Sequence, residues 1–250
     1  MSTLLEQIRA REWFYAYELP DGTRAPTYHG GELDAVHDTR WSMVEQALNA
    51  HFGDDWQALR ALDLACHQGY FAVQLARRGC REVLGVDARA QHVEDSRLIA
   101  EAYGLGQASF MAGDIHALEP SALGRFDVVM MLGLLYHLEN PVGALRTCRA
   151  LCNDLCLVET QLVPGMSGPV DFGSYRFVKP LQGAFGLVDE TQETHGPEAS
   201  VTGICLVPSL EGLLWLLEKV GFREVTVLQP PADAYEQLKF GKRVMVAARV

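Results

Sequence analysis

The sequence has no long apolar run: the longest, residues 128–135, is far shorter than the roughly 18 residues that a membrane span needs. Its first ten residues carry Glu6 and Arg9 and lack the apolar centre of a secretory signal. It also lacks a basic excess. Lys and Arg number 21 against 32 Asp and Glu, a formal charge of −11. Non-specific binding to nucleic acid comes from Lys and Arg displacing counterions, so nucleic acid is not an expected partner. The six cysteines, with no signal segment ahead of them, are expected as free thiols in a reducing compartment, and the expected location is cytoplasmic. No repeat of fixed period occurs, and no low-complexity tract. The G-x-G-x-x-G fingerprint that seats a dinucleotide pyrophosphate is absent as well. What remains is 250 residues, 48% of them hydrophobic, enough for one large domain with an appended segment.

From residue 59 onward short apolar runs alternate with amphipathic stretches. Strands are predicted at 61–65, 82–86, 108–111, 126–132, 155–158, 225–228 and 243–248, and helices at 71–78, 90–103, 141–151 and 210–220. This rhythm predicts an α/β fold: a Rossmann-like, doubly wound, mostly parallel seven-stranded sheet covered on both faces. Residues 1–55 stand apart. They are irregular through Pro20-Asp21-Gly22 and His29-Gly30-Gly31 and resume a helical period at Trp41, Val44, Ala47 and Leu48. They read as a lid or acceptor-binding segment before a main domain at 56–250. Residues 164–203 interrupt the rhythm with Gly, Pro and polar residues, and a stretch that long is usually functional, here an acceptor-side insertion after the fifth strand.

In a doubly wound sheet, ligands sit outside the carboxyl ends of the strands where the strand order reverses. The first strand ends in Asp63-Leu-Ala-Cys-His-Gln-Gly69, the second in Gly85-Val86-Asp87 and the third in Gly113-Asp114-Ile115. The fourth runs through Leu132-Gly133 into Tyr136-His137. One acid suits the two hydroxyls of a ribose and the next an adenine amino group. Either aspartate alone is equally a helix cap.

These residues resemble the class I S-adenosylmethionine-dependent methyltransferases, whose first motif is similar to Asp63–Gly69 but carries glycine where this chain has Ala65 and His67. The resemblance implies that Asp63, Ala65 and Gly69 line the methionine end of S-adenosylmethionine. It further implies that Asp87 holds the ribose, that Asp114 and Ile115 read the adenine, and that Leu132 lies beside the cofactor. One branch is closer, the tRNA wobble-uridine carboxymethyltransferase-like methyltransferases. It is matched by Leu135-Tyr-His-Leu-Glu-Asn-Pro141, Leu157-Val-Glu-Thr160, Val207-Pro-Ser209, Leu216-Leu-Glu-Lys-Val-Gly-Phe222 and Lys242-Arg-Val-Met-Val-Ala-Ala-Arg249. That branch holds a carboxylated cofactor with the help of a basic N-terminal stretch. This chain has Trp13-Phe-Tyr-Ala-Tyr17 in that region, although Tyr136 and Arg243 remain for two of the carboxylate-binding places.

The expected reaction is methyl transfer from S-adenosylmethionine to an oxygen or nitrogen of a small molecule, a natural product or polar metabolite. The alternative is a tRNA wobble-uridine carboxymethyl or methyl transferase, which a basic face around Arg77, Arg78, Arg81 and Arg89 would favour. His137, with Tyr136 beside it, is the candidate catalytic pair, since imidazole accepts a proton at neutral pH; the same dipeptide is equally a packed turn. Tyr28, His29, Trp41, Glu159, Tyr175 and Arg176 are candidate acceptor contacts, with Phe172 and Phe185 behind them, and His195 is a weaker candidate base. Cys148, Cys152 and Cys156 are spaced by four but read as structural, and no metal is expected.

Overall fold

A computed structural model describes residues 3–171, 178–191, 193, 199–200 and 202–250. Two helices, α1 (Leu4–Arg9) and α2 (Asp34–Phe52), precede the sheet. The alternating region then gives β1 (Arg60–Leu64), α3 (Tyr70–Arg77), β2 (Glu82–Asp87), α4 (Ala90–Ala102) and β3 (Ala108–Ala112). It continues with α5 (Pro120–Leu123), β4 (Phe126–Leu132), α6 (Pro141–Leu151) and β5 (Cys152–Gln161). Two antiparallel pairs follow, β6 (Gly168–Asp171) with β7 (Val178–Leu181), and β8 (Phe185–Asp189) with β9 (Ile204–Pro208). The chain closes with α7 (Leu210–Lys219), β10 (Glu224–Val227), α8 (Glu236–Lys239) and β11 (Arg243–Arg249).

Seven strands form one sheet in the order β10-β11-β5-β4-β1-β2-β3. Only β11 runs against its neighbours β5 and β10; the other pairings are parallel. The apolar composition of β4 explains its central place. Val128, Met130 and Leu132 face one core and Val129 and Met131 the other, so side chains that alternate across the pleat are buried on both faces. The first core packs the sheet on α2, α3 and α4, the second on α6 and α7. From β1 the chain winds one way through β2 and β3, then returns to lay β4 and β5 on the other side, which opens a crevice at the carboxyl ends of β1 and β4.

Three sequence expectations change in detail. Helix α2 begins at Asp34, earlier than the apolar period at Trp41 indicates, because its first turns bury polar residues, His37, Thr39 and Arg40. The N-terminal aromatics are built into the first core: Trp13 is wholly buried and donates its indole N–H to the Ile8 carbonyl (2.9 Å), and the Tyr17 hydroxyl donates to the Gln68 carbonyl (2.7 Å). Cys152 opens β5 instead of extending α6, so it does not share a helical face with Cys148. Both thiols, like Cys156, sit in the second core.

Gly69 caps α3 with φ +86°, and a Cβ there would lie 2.8 Å from the Ser96 Cβ and 3.1 Å from the Phe110 ring. Gly69→Ala is expected to lower the unfolding free energy by about 2–4 kcal/mol, combining left-handed strain with overpacking. Urea denaturation reads this, and a loss well under 1 kcal/mol would show that α4 yields freely.

Candidate cofactor and acceptor site

A cavity of about 930 Å³ opens at the carboxyl ends of β1, β2 and β4. The turn after β1 forms its floor. Ala65 (φ +57°), His67 (φ +52°) and Gly69 (φ +86°) are all left-handed. Side-chain-bearing residues resist this conformation by roughly 1–2 kcal/mol each, and Asp87 supplies the restraint. Its Oδ2 accepts the His67 N–H (2.9 Å), while its Oδ1 accepts the Arg89 N–H (2.9 Å) and His92 Nδ1–H (3.2 Å). The His67 ring lies stacked on His92 (3.8 Å between centroids), with Phe14 4.9 Å away. Burial disfavours the Asp87 anion, but the bonds from His92, Arg89 and His67 outweigh it and hold its pKa below the ordinary aspartate value. Asp87 is therefore ionised at neutral pH and faces the cavity.

Ala65, Asp87, Asp114, Ile115, Leu132, Tyr136 and His137 all line this one cavity. Asp114 also caps the 3-10 turn Ile115–Ala117 through the His116 N–H (2.9 Å), the capping role open to an aspartate at a strand end. Asp63 and Gly69 do not line it. The Asp63 carboxylate turns under α3 and accepts the Ala72 N–H (3.1 Å), and Gly69 faces α4. Burial, opposed by the Ala72 bond and reinforced by Asp87, pushes the Asp63 pKa up to about 8.

The candidate acceptor contacts fare differently. Glu159 is fully buried behind the wall, its Oε2 2.9 Å from Arg40 Nη2 and its Oε1 accepting from Arg243 Nη1 at 2.9 Å. Arg243 also donates to Gln237 (3.2 Å) and to the Tyr136 hydroxyl (3.2 Å). Burial disfavours the guanidinium, but Glu159 and Tyr136 prevail and hold its pKa above the ordinary arginine value. Trp41 packs edge-on against Trp56, on the core side of α2. Tyr28 is exposed and stacks on Phe14. His29 holds its own loop: Nδ1 accepts the N–H groups of Gly31 (3.1 Å) and Leu33 (3.3 Å), so the ring proton is on Nε2 and goes to the Phe14 carbonyl (2.7 Å). Phe185 is exposed on β8. Phe172, Tyr175, Arg176 and His195 lie outside the described residues.

Sequence reasoning passed over Phe14, His37 and Arg40, which form the wall contributed by the N-terminal region. His37 is buried, and among the described residues neither ring nitrogen has a hydrogen-bond partner. Burial, with Arg40 adding, pushes its pKa down to about 2, so the ring is neutral. Arg40 Nε is also buried without a partner among the described residues.

A model of the methyltransferase domain matches residues 61–154, which carry the β1 turn, Asp87, Asp114 and His137. Over those residues the chain carries a methyltransferase domain. Among curated relatives, the tRNA U34 carboxymethyltransferase of Desulfotalea psychrophila is 25% identical over 88% of this chain and 61% of its own length. A ubiquinone biosynthesis O-methyltransferase of Cereibacter sphaeroides is 32% identical over 58% of this chain and 56% of its own. The chain thus spans about half to three fifths of the curated relatives it matches. The N-terminal domain of EvdMO1, solved in the presence of SAH and D-fucose, superposes with a TM-score of 0.71 at 22% identity, covering 100% of this chain and 98% of that one. Magnesium protoporphyrin IX methyltransferase from Synechocystis, solved with SAM, gives 0.59 at 16% identity over 89% and 83%. These structural likenesses show the same fold.

S-adenosylmethionine is the cofactor that the sequence resemblance implies for this methyltransferase domain, and the residues present fit it. An ionised Asp87 suits two ribose hydroxyls. The partnerless Arg40 Nε and His37 nitrogens are buried polar atoms on the same cavity and suit the amino-acid end. Asp87→Asn is expected to weaken S-adenosylhomocysteine binding about 10- to 100-fold, the scale of one or two hydrogen bonds to a charged group. Calorimetry showing unchanged affinity would remove the ribose role. Because the Asp63 pKa is raised on folding, its contribution to stability is present in acid and fades as pH rises toward 8. Asp63→Asn is expected to flatten the fall in unfolding free energy between pH 5 and 8; an unaltered slope would place that fall on other groups.

Proposed function

We propose that this methyltransferase alkylates an oxygen or nitrogen of a small-molecule acceptor, a natural product or polar metabolite, using uncarboxylated S-adenosylmethionine. The observation that carries the reading is the cavity. At about 930 Å³ it is at the upper end of the range for small-molecule sites, and it extends from Asp87 and Asp114 to a wall made of Phe14, Tyr15, His37 and Arg40. When bound, the cofactor supplies an electrophilic methyl group on a sulfonium, and an in-line displacement of this kind needs chiefly position, worth roughly 7–11 kcal/mol where orientation is good. Asp87 would fix the ribose, Asp114 and Ile115 the adenine, and Ala65 and Leu132 the flanks. His137 would take the acceptor's proton.

The tRNA reading draws support from the identity shared with the U34 carboxymethyltransferases. The surface speaks for a smaller acceptor. Arg78 is paired with Glu45 (2.9 Å), Arg77 lies over the Tyr103 ring, and Arg89 donates to the Ala199 carbonyl (3.1 Å), so these arginines are engaged within the chain, whose formal charge is −11. Arg243 already donates to Glu159, Tyr136 and Gln237, which speaks for a cofactor without an added carboxylate.

Purified protein given methyl-deuterated S-adenosylmethionine and, in separate reactions, a metabolite extract and bulk tRNA decides between the two. Label is expected in small molecules by mass spectrometry and absent from tRNA. Label confined to tRNA uridines would overturn the proposal.

A further inference from the structure

The stretch between β8 and β9 brings a buried carboxylate to the catalytic side of the cavity. Glu190 directly follows β8 and is 2% exposed. Its Oε2 accepts from His137 Nδ1 at 2.6 Å, from the Ser200 N–H at 2.8 Å and from Cys205 Sγ at 3.5 Å. A carboxylate withdrawn from water needs such partners or it takes up a proton. Among these described partners, the imidazole is the one that can itself become a cation. Burial, with Glu190 adding, pushes the Cys205 thiol up to about 11, so it stays neutral.

Fastening the insertion to the turn after β4 does not require this charge. The Leu206 N–H on β9 already donates to the Leu138 carbonyl at 3.0 Å. His137 lines the cavity from that same turn, and Ser200 lines it from the insertion. The carboxylate is thus buried beside the ring of the candidate base, on its Nδ1 side.

We propose that Glu190 is the positioning residue for His137 as general base. Accepting from Nδ1–H fixes the proton on that nitrogen and places the ring's lone pair on Nε2. The carboxylate then stabilises the imidazolium formed during transfer. The acceptor's O–H or N–H proton passes to Nε2, the acceptor's lone pair forms the bond to the methyl carbon, and the carbon–sulfur electron pair stays on sulfur. The imidazolium returns its proton to water after the product leaves. The proposal rests on the methyl-transfer reading above.

Among the described residues, other titratable and charged groups lie on the neighbouring elements. Tyr136 and Glu139 lie on the same turn, and Asp189 and Cys205 on β8 and β9. Arg243 on β11 reaches the pair through the Tyr136 hydroxyl. Replacing Glu190 alone leaves all of these in place.

The test is imidazole 15N and 1H titration of the full chain, wild type against Glu190→Gln and Glu190→Asp, which needs no acceptor. The wild type is expected to show the Nδ1–H tautomer when neutral. Its His137 pKa should fall by a unit or more, a tenfold change in the protonation equilibrium, in Glu190→Gln. Glu190→Asp should recover most of that. A wild-type Nε2–H tautomer, or the same pKa in Glu190→Gln, overturns the proposal. Should Glu190→Gln melt before titration, the wild-type tautomer alone decides. With methyl-deuterated S-adenosylmethionine and the metabolite extract, Glu190→Gln is expected to lower kcat at least tenfold, leave KM for the cofactor within twofold, and move the acidic limb of the rate profile to lower pH. A merely structural tie would lower the melting temperature and leave that limb in place, which also overturns the proposal. An extract that yields no labelled product counts against the methyl-transfer reading, while the titration still judges the pair.

Discussion

The carboxylate of Asp87 is the contact on which the turn after β1 hangs. Three left-handed residues follow that strand, and two of them, Ala65 and His67, bear side chains that resist the conformation. One anion at the end of the neighbouring strand offsets this cost by accepting the His67 N–H, and it ties the Arg89 N–H and His92 into the same cluster. Charge-assisted bonds of this kind are worth about 1.5–3 kcal/mol each, enough to match roughly 1–2 kcal/mol of strain per residue. The same group that shapes the floor of the cavity is the one proposed to meet a ribose, so on that reading shape and ligand chemistry cannot be varied independently there.

Around this floor three separate parts of the chain supply the walls. The sheet contributes strand ends that are buried on both faces. The N-terminal region adds Phe14, His37 and Arg40 on one side, anchored by Trp13, Tyr15 and Tyr17 in the core. Behind them a single carboxylate, Glu159, lies between two guanidiniums, Arg40 and Arg243, a buried arrangement with one net positive charge. Such a cluster is sustained only when its members are paired, and removing one member would strand the others without water. The insertion adds Ala199, Ser200 and Thr202 to the lining and brings Glu190 to His137.

What the sequence shows and what it hides follow from where burial makes a pattern. The strands were legible because parallel strands covered on both sides read as uninterrupted apolar runs, and the acids and His137 because they stand at the ends of those runs. His37 and Arg40 were hidden for the opposite reason. They are polar residues on the buried side of α2, and there they erase the apolar period that would have marked the start of that helix. Trp41, one residue on, looked like a contact through its ring alone, yet a step of about 100° around the helix points it at Trp56 instead of the cavity. Asp63 and Gly69 belong to the motif, but β1 directs them under α3 and α4. Glu190 could not be found by spacing. It lies 53 positions from His137, in a stretch without periodicity, and only the fold brings the two together.

In the proposed site, adenosine sits over Asp87 and Asp114 while the reactive end of the cofactor faces His137. A crystal structure with S-adenosylhomocysteine tests it most directly. Ribose hydroxyls are expected on the Asp87 carboxylate, the adenine beside Ile115, and the sulfur opening toward the His137 side of the cavity. Density placing the nucleoside away from Asp87, or the sulfur pointing away from His137, would contradict it.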